Sequence, residues 1–449
     1  MKKLLLLPVL LLSMFASKAQ APKIIYVNAS AIGAGNGTSW TDAYVDFQAG
    51  VNGAAAGDSV FVAKGNYQPA ISGTSFSMKE GVKIYGGFAG TEGSLSERNL
   101  PANLIAGDSS VLKGHDKRVI DNTSNNLTAA AVLDGFNISN GKAISGYGGG
   151  IYNISSSPTI TNCTFLGNSA GNGGGIYNDN ASPIITNCTF SGNTSGYYGG
   201  GIYSLSSSPI ITNCTFVGNT SSNGGGIFSY QSSPILTNCI FVGNTAATGG
   251  GGGNGSGAVQ TDASPIFTNC TFVSNRAQSG GAIYDELSST LTNCIFWGNT
   301  ATTGADILKY GNTTLDYSYT QNNLIAYGTG NITGSTDPFV NSSNPGGADG
   351  IYGTPDDGLH LNFAAGYFAT GASPIDAGSN AAIPTGISTD IAGADRNQNS
   401  TVDMGAYEGI SATQALPVTI MNFRGSLQKG IVTLQWESGL EAGFNHFEL

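Results

Sequence analysis

A five-residue phrase returns at an almost constant interval along the middle of the chain. Thr-Asn-Cys-Thr-Phe occupies 161–165, 186–190 and 212–216, and close variants surround Cys239, Cys270 and Cys294. All six cysteines fall in these phrases, at successive separations of 25, 26, 25, 31 and 24 residues. A period of roughly 20 to 50 residues indicates a repeat architecture, because one unit is too small to bury a hydrophobic face alone.

A second phrase, Gly-Gly-Gly-Ile-Tyr or a close variant, recurs in phase with the first. It occupies 148–152, 173–177, 199–203, 224–228 and 280–284. Each unit therefore holds two short strand signals, separated by residues that favour turns. Helical repeats are excluded, because glycine accounts for 67 of 449 residues and β-branched residues are dense in the phrases. We predict one coil of three short strands per repeat.

Superposing the repeats reveals positions that stay apolar in every unit. They are Ile151, Ile176, Ile202, Ile227 and Ile283; Ile160, Ile185, Ile211, Leu236, Phe267 and Leu291; the cysteines; and Phe165, Phe190, Phe216, Phe241, Phe272 and Phe296. We predict that these columns point inward in a stack of coils. One coil would bury about four such side chains at roughly 1.5–3 kcal/mol each. Ordering its backbone costs more, at roughly 1–2 kcal/mol per residue, so the coils must stack to be stable.

Asparagine occupies two further columns. Asn162, Asn187, Asn213, Asn238, Asn269 and Asn293 precede the cysteines, and Asn168, Asn193, Asn219, Asn244, Asn275 and Asn299 follow the phenylalanines. The first column needs a left-handed residue, since strict alternation would put its apolar neighbours on opposite faces, and Asn tolerates that conformation. We interpret both columns as structural ladders of side-chain amides. For the cysteines we favour buried thiols over disulfides, because parallel Cβ vectors make bridging awkward.

The GGGI(Y/F) and TNCTFxGN phrases resemble the polymorphic outer-membrane protein repeats of right-handed parallel β-helix proteins. The resemblance covers residues 131–333, which we assign as regular β-helix repeats. It implies an all-β fold, a right-handed single-stranded parallel β-helix of the pectin-lyase-like solenoid type. The right hand follows from the family and from the general crossover rule.

The N-terminal part has two predicted segments. Residues 1–19 form a signal peptide, with two lysines, an apolar core over 4–12 and small residues before the cleavage site. Residues 20–130 form an N-terminal cap and irregular early coils. Within them, Ser39 and Asp42 resemble a helix start, and Ala43, Phe47 and Val51 recur every four residues. We expect this amphipathic helix to cover the open end of the stack, where free strand edges would aggregate.

The C-terminal part is also divided in two. Residues 334–411 include the phrases Asp-Pro-Phe at 337–339 and Ser-Pro-Ile-Asp-Ala-Gly at 373–378. They resemble the segment that follows these β-helices in exported bacterial proteins, and we assign them as final coils and a C-terminal cap. Residues 412–449 alternate apolar and polar, and resemble the start of a fibronectin-III-like sandwich before a type IX secretion sorting signal. About two strands are too few for a sandwich, so we expect this segment to be truncated.

An aromatic residue follows the inward isoleucine of each glycine-rich phrase. These residues are Tyr152, Tyr177, Tyr203, Phe228 and Tyr284. Alternation points them outward, as an aromatic stripe along one face. Flat aromatic rings suit contacts with sugars or proteins. We take the stripe as the candidate ligand-binding surface, with mutual stacking for stability as the alternative.

Two acidic loops are candidate Ca²⁺ sites, because Ca²⁺ prefers carboxylate and amide oxygens. One holds Asp349, Asp356 and Asp357, and the other holds Asp395, Asn397, Asn399 and Asp403. The second loop lacks the glycine and the final glutamate of an EF-hand loop. Capping of turns by Asp and Asn is the alternative. We expect no other cofactor.

Catalysis is the main alternative to binding, since polysaccharide lyases and hydrolases share this fold. Such enzymes need clustered acids, or a base beside carboxylate-held Ca²⁺. Between Lys142 and Asp306 the charged residues are Asp179, Asp262, Arg276, Asp285 and Glu286, and histidine does not occur there. We therefore favour a structural or adhesive protein over a carbohydrate-active enzyme of the pectate-lyase-like class.

Charge and hydropathy limit the partners and the compartment. The formal net charge of −11 would repel phosphate backbones, which excludes nucleic acid. The apolar core of the leader is shorter than the roughly 18 residues of a membrane span. We expect a secreted or cell-surface monomer without a transmembrane segment, whose partner is an extracellular polysaccharide or a surface protein.

Overall fold

The computed structural model describes most of the chain from residue 21 to residue 409, and part of the chain beyond it. Described are residues 21–100, 109–123, 125–247, 255–363, 373–398 and 400–409, with the backbone alone of 420–428 and 431–438. The predicted signal peptide, residues 1–19, lies outside the described residues, and so does Asn399.

The repeats form stacked coils in which each strand pairs in parallel with the matching strand of the next coil. Ile151 pairs with Ile176, which pairs in turn with Ile202. Among the described residues, two sheets of 11 strands (sheets A and B) and one of 8 strands (sheet C) run along the stack, and a sheet of 5 strands (sheet D) accompanies part of it. The predicted all-β parallel solenoid is confirmed.

The strands of the two long sheets are short and evenly spaced along the chain. Sheet A comprises Ile24–Val27, Ser59–Ala63, Lys83–Phe88, Val132–Asp134, Thr159–Thr161, Ile184–Thr186, Ile210–Thr212, Ile235–Thr237, Ile266–Thr268, Thr290–Thr292 and Thr314–Asp316. Sheet B comprises Gly65–Tyr67, Ser110–Lys113, Phe136–Ser139, Thr164–Leu166, Thr189–Ser191, Thr215–Val217, Ile240–Val242, Thr271–Val273, Ile295–Trp297, Tyr319–Thr320 and Ile332–Thr333.

The other two sheets flank the glycine triplets. Sheet C comprises Ile120–Thr123, Ile151–Ile154, Ile176–Asp179, Ile202–Leu205, Ile227–Tyr230, Val259–Thr261, Ile283–Asp285 and Ile307–Lys309. Sheet D comprises Lys142–Tyr147, Ser169–Asn172, Thr194–Tyr198, Thr220–Ser221 and Thr245–Ala246. Sheet D adds a fourth strand to these coils, so the prediction of three strands per coil was too low there. Its members carry Gly, Ser and Asn, which mask the strand signal.

The glycine triplets allow sheets C and D to meet at a tight corner. Gly173 has φ +64°, in the left-handed region. A Cβ on Gly174 would lie 2.4 Å from the carbonyl oxygen of Gly200, and one on Gly175 would lie 2.5 Å from that of Gly201. The first glycine is thus required by conformation, and the next two are required because the coil above lies too close for a side chain.

The interior of the stack consists of the predicted apolar columns. Ile176, Ile185, Cys188 and Phe190 of one coil are all buried in a single core that continues through the neighbouring coils. Phe190 stacks on Phe216 with ring centroids 4.7 Å apart and an interplanar angle of 3°. The inward direction of these columns is therefore confirmed.

Both asparagine columns form ladders, as predicted. The asparagines that precede the cysteines have φ between 50° and 57°, in the left-handed region. Asn213 Nδ2 donates to Asn187 Oδ1 at 3.2 Å, on the outside of the corner between sheets A and B. In the buried column, Asn193 Nδ2 donates to Asn219 Oδ1 at 3.0 Å.

A short helix covers the N-terminal end of the core. It spans Phe47–Gly53, where Asp46 is the N-cap and its side chain accepts from the Ala49 N–H at 2.7 Å. Phe47 and Val51 are buried against the core, as expected, whereas Ser39 and Asp42 form a turn before the helix. Short 3₁₀ helices span Leu95–Glu97, Ile325–Tyr327 and Asn380–Ala382. None of the described helices is long and apolar enough to cross a membrane.

The segment predicted as final coils and cap follows a different course. We call residues 373–398 and 400–409 the strap, because they lie along the outside of sheet B. Met404, Ala406 and Tyr407 pack against Ile240, Val242, Val273 and Ile295. The Ala406 N–H donates to Thr271 Oγ1 at 2.9 Å.

The outward residues of sheet B explain why the strap lies where it does. Early coils place Thr164, Thr189 and Thr215 at one outward position. In later coils Ile240 and Ile295 occupy this position, with Thr271 between them. An exposed apolar face of this kind needs a cover, and the strap supplies it.

Residues beyond the strap contain an antiparallel hairpin. Ile420–Gln428 pairs with Ile431–Ser438. The strand predicted from Ile431 onward is therefore present. The remainder of the predicted sandwich segment lies outside the described residues.

Candidate functional site

The predicted aromatic residues form a column on the outer side of sheet C. Tyr177, Tyr203 and Phe228 make a cluster of their own, separate from the main core, with Tyr152 packed against it. Their ring centroids are 5.0 to 5.5 Å apart along the column. Tyr284 pairs in register with Gln260, which interrupts the column, and its ring instead contacts Tyr310 at 5.6 Å.

Most of this column is covered. Tyr177, Tyr203 and Phe228 are 5%, 8% and 8% exposed, and only Tyr152 is half-buried. The cover comes from sheet D, where the Tyr198 ring lies 4.6 Å from that of Phe228. The mutual stacking that we gave as the alternative is therefore present in the structure.

The rings that sheet D contributes are the accessible ones. Tyr147, Tyr197 and Tyr198 are 43%, 58% and 38% exposed. The Tyr147 ring lies 4.7 Å from that of Tyr177. We call Tyr147, Tyr197, Tyr198 and the half-buried Tyr152 the aromatic face. Sequence reasoning missed its sheet D members, although a signal was present: each tyrosine or tyrosine pair directly precedes a glycine triplet.

The electrostatics of this face are almost neutral. Burial raises the pKa of Tyr203 to about 12 and raises the pKa of Tyr152, so both phenols stay protonated at physiological pH. At one end the Arg118 guanidinium lies 4.0 Å from the Tyr152 ring centroid and pairs with Asp121 at 3.2 Å. Tyrosine rings with neutral hydroxyls present flat apolar area together with hydrogen-bonding groups.

Acidic residues occupy the end of sheet C that is distant from Arg118. Thr261 pairs with Asp285, so Asp262 and Glu286, which follow them, lie on adjacent coils. Partial burial, and then the Asp262 carboxylate, raise the pKa of Glu286. Asp285 itself is fully buried and accepts from the Ser289 N–H at 2.7 Å, which makes it a turn-capping residue.

The predicted Ca²⁺ ligands have other partners. Asp356 accepts from the Ala348 N–H at 2.8 Å, and Asp357 accepts from the Gly353 N–H at 2.6 Å and from the Tyr407 hydroxyl. Asp403 accepts from the Asp376 N–H at 2.7 Å. These contacts are the turn capping that we gave as the alternative.

The remaining predicted Ca²⁺ ligands lie at the surface or outside the described residues, and the Ca²⁺ site stays a prediction. Asp349, Asp395 and Asn397 are exposed, and Asn399 lies outside the described residues. In the part of the chain that is described, no three His, Cys, Asp or Glu side chains are placed to share a metal ion.

The strap instead contains a buried cluster of charges. Arg396 is 2% exposed, and its Nη1 lies 3.6 Å from Glu408 Oε2. Burial, and then the nearby Asp403 carboxylate, raise the pKa of Glu408 to about 8. Burial likewise raises the pKa of Asp403 to about 6. Arg396 Nη2 also donates to Asn238 Oδ1 at 2.8 Å, which joins the strap to the outer asparagine ladder.

The six cysteines are free and buried. Cys188 Sγ lies 3.2 Å from the Thr186 carbonyl oxygen, and burial raises the pKa of Cys163 and Cys188. Inaccessible protonated thiols are poor nucleophiles and poor metal ligands. The cysteine column therefore contributes packing rather than chemistry.

Two family models match parts of the repeat region. Residues 105–261 match the model of the right handed beta helix region, and residues 269–286 match the Chlamydia polymorphic membrane protein repeat. No curated protein matches the chain significantly. Among solved structures, a crystal structure of pectate lyase Pel9A has a TM-score of 0.45 at 16% identity, over 87% of this chain and 97% of that chain. The parallel coils and the recurring phrases give this chain the fold of a right-handed parallel β-helix, and the two matched models cover part of its repeats.

Proposed function

We propose that this chain is an exported β-helix protein of the cell surface, with a structural or adhesive role, which binds carbohydrate or protein through its aromatic face. The observation that carries the proposal is the set of exposed rings of Tyr147, Tyr197 and Tyr198 above a stacked column of buried rings. The Tyr147 and Tyr198 rings contact the buried rings of Tyr177 and Phe228, so little conformational entropy of these two side chains is lost when a ligand binds.

Three features of the sequence support the proposed location. The match to the Chlamydia polymorphic membrane protein repeat accords with a surface-associated protein. The leader at residues 1–19 accords with export, and the segment from 412 onward accords with the type IX route. Release of the leader and display on the cell surface are testable by N-terminal sequencing and surface labelling.

Binding to a panel of extracellular polysaccharides tests the proposal, with retention and product release scored separately. We expect retention without release, and we expect the double variant Tyr147→Ala/Tyr198→Ala to lose it. Ile210→Ala is the matched control, because Ile210 is 46% exposed on sheet A, away from the aromatic face. Retention that survives in the double variant would contradict the proposed surface.

A carbohydrate-active enzyme is the second candidate function, and the Asp262 and Glu286 pair favours it. A carboxyl group with a raised pKa beside a second carboxylate suits a general acid. Release of products by the native protein, lost in Glu286→Gln, would establish this candidate. Retention without release, unchanged in Glu286→Gln, would exclude it.

A further inference from the structure

A second surface, remote from the aromatic face, has the form of a binding site. A cleft of about 280 Å³ opens at the corner between sheets A and B, beside the end of the strap. Asparagines and threonines of three successive coils form its floor. Leu100, Ile351, Tyr352 and Ile391 line the rest of the cleft. Its volume is near the lower end of ordinary ligand pockets, roughly 300–1,000 Å³.

The amides of the floor have one fixed direction. Asn162 Nδ2 donates to Asp134 Oδ1 at 2.9 Å, and each following asparagine donates to the one before it. Beyond the cleft, Asn238 Nδ2 donates to Asn213 Oδ1, and Asn238 Oδ1 accepts from both Arg396 and Asn269. The Asp134 carboxylate thus accepts from the first amide, and the Arg396 guanidinium joins the ladder at Asn238. The ladder is held rigidly. Within the cleft, Asn162, Asn187 and Asn213 each use one amide N–H in the ladder and keep the second for a ligand.

The hydroxyl groups of the floor are unused. Thr164, Thr189 and Thr215 pair in register on adjacent strands of sheet B, and all three line the cleft. Thr164 and Thr215 are 6% and 3% exposed. Among the described residues, the three hydroxyls have no hydrogen-bond partner. These hydroxyls are not sealed from solvent but face the cleft, so they are free to hydrogen-bond to a ligand there in place of water.

We propose that this cleft binds a short neutral oligosaccharide. The described lining residues are uncharged, so neither an anionic nor a cationic ligand gains an ion pair there. Hydroxyl and amide groups on the floor can donate to and accept from sugar hydroxyls. Tyr352 and the aliphatic side chains offer apolar area to the C–H face of a sugar ring.

The backbone geometry argues against an extended peptide as the ligand. Peptides that bind β-proteins commonly pair with a free strand edge. Here the strands of the floor are paired with coils on both sides, as Thr189–Ser191 is with Thr164–Leu166 and Thr215–Val217. A ligand can therefore hydrogen-bond only to side chains of the floor. The same side-chain types recur in each coil, as sugar units recur along an oligosaccharide.

The hydroxyl column provides conservative variants for a test. Thr189→Val keeps the β-branched shape and removes the hydroxyl, and the triple variant at residues 164, 189 and 215 removes all three. Thr186→Val is the matched control, because Thr186 lies on sheet A three residues before Thr189 and does not line the cleft. Disaccharides and trisaccharides of glucose, mannose, galactose and xylose are titrated by saturation-transfer NMR and calorimetry, alongside oligogalacturonate and short peptides.

We expect saturable binding of at least one neutral sugar. Loss of one hydrogen bond in Thr189→Val should weaken it about two- to tenfold, and the triple variant should weaken it further. Thr186→Val should bind like the native protein. Absence of saturable binding by neutral sugars, equal affinity in the triple variant, or preference for the peptides or oligogalacturonate would each overturn the inference.

The aromatic-face variant separates this inference from the proposed function. Binding that is lost in Tyr147→Ala/Tyr198→Ala but kept in the triple threonine variant overturns the cleft and leaves the proposed function intact. Binding lost only in the triple variant supports the cleft and contradicts the aromatic face.

Discussion

Removal of the Asn193 side chain tests whether the buried asparagine column stabilises the stack. Asn193 is fully buried, and its amide makes four hydrogen bonds. Oδ1 accepts from the N–H and from Nδ2 of Asn168, at 3.1 and 3.0 Å. Nδ2 donates to the Phe165 carbonyl at 2.9 Å and to Asn219 Oδ1 at 3.0 Å. The residue therefore joins the coil before it to the coil after it.

Asn193→Ala should lower the free energy of unfolding by about 2–6 kcal/mol, at about 0.5–1.5 kcal/mol for each lost hydrogen bond. Part of the loss is offset. Asn168 Nδ2 still donates to the Ile138 carbonyl, and Asn219 Oδ1 still accepts from the Asn193 N–H. The Asn168 N–H, in contrast, loses the acceptor that Asn193 provided, inside the protein where water cannot replace it.

Urea unfolding followed by far-UV circular dichroism measures this difference. The matched control is Asn187→Gly in the outer ladder, where φ is 52° and glycine adopts the left-handed conformation without strain. The Asn187 amide is exposed, so water replaces its partners, and the expected loss is about 1 kcal/mol or less. Equal losses in the two variants, or a larger loss in Asn187→Gly, would refute the assignment of the buried column as the stabilising one.

Four further predictions concern stability and accessibility. In urea unfolding, Tyr203→Ala should destabilise the protein by about 2–4 kcal/mol and Tyr197→Ala by less than about 0.5 kcal/mol, because only the Tyr203 ring is buried. Equal effects would contradict the burial of the Tyr203 ring. In the folded protein the pKa of Glu408 is raised to about 8 and that of Asp403 to about 6. Both carboxyl groups therefore bind a proton more tightly in the folded protein than in the unfolded chain. Stability should therefore fall as the pH rises from about 5 to about 9, and a melting temperature that rises over this range would be inconsistent with it. The six buried thiols should react with a disulfide reagent only after denaturation, and rapid labelling of the native protein would disprove their burial. Gly175→Ala should prevent close stacking, because its Cβ would meet the Gly201 oxygen at 2.5 Å, and native-like melting would show that the coils can separate.

The parts of the fold that repeat were predictable from sequence. In each unit the same residue types returned at the same offset, so an inward position in one coil implied an inward position in the next. The left-handed corner at Asn187 was predictable for a related reason: without it, Ile185 and Cys188 could not both face inward. Both inferences depend on local geometry and on the period.

The candidate site was less predictable, because exposure depends on residues that do not belong to the same phrase. Alternation places Tyr203 outside the main core, and the structure agrees. Alternation does not reveal that Tyr198 lies against the neighbouring rings and leaves Tyr203 only 8% exposed. For the same reason the acids predicted to hold Ca²⁺ cap turns, since a carboxylate uses the backbone N–H groups that the folded loop brings to it.

The sequence by itself determined the period of the coils and the inward columns of sheets A, B and C, because each coil repeats one local pattern and stacking follows from burial. Only the tertiary structure decided the path of the strap and the cleft beside it. The contacts of Arg396 with Asn238 and of Ala406 with Thr271 join residues 158 and 135 positions apart. No periodicity links such positions, because they are brought together by the fit of the strap to a stretch of sheet B whose outward residues are mostly apolar.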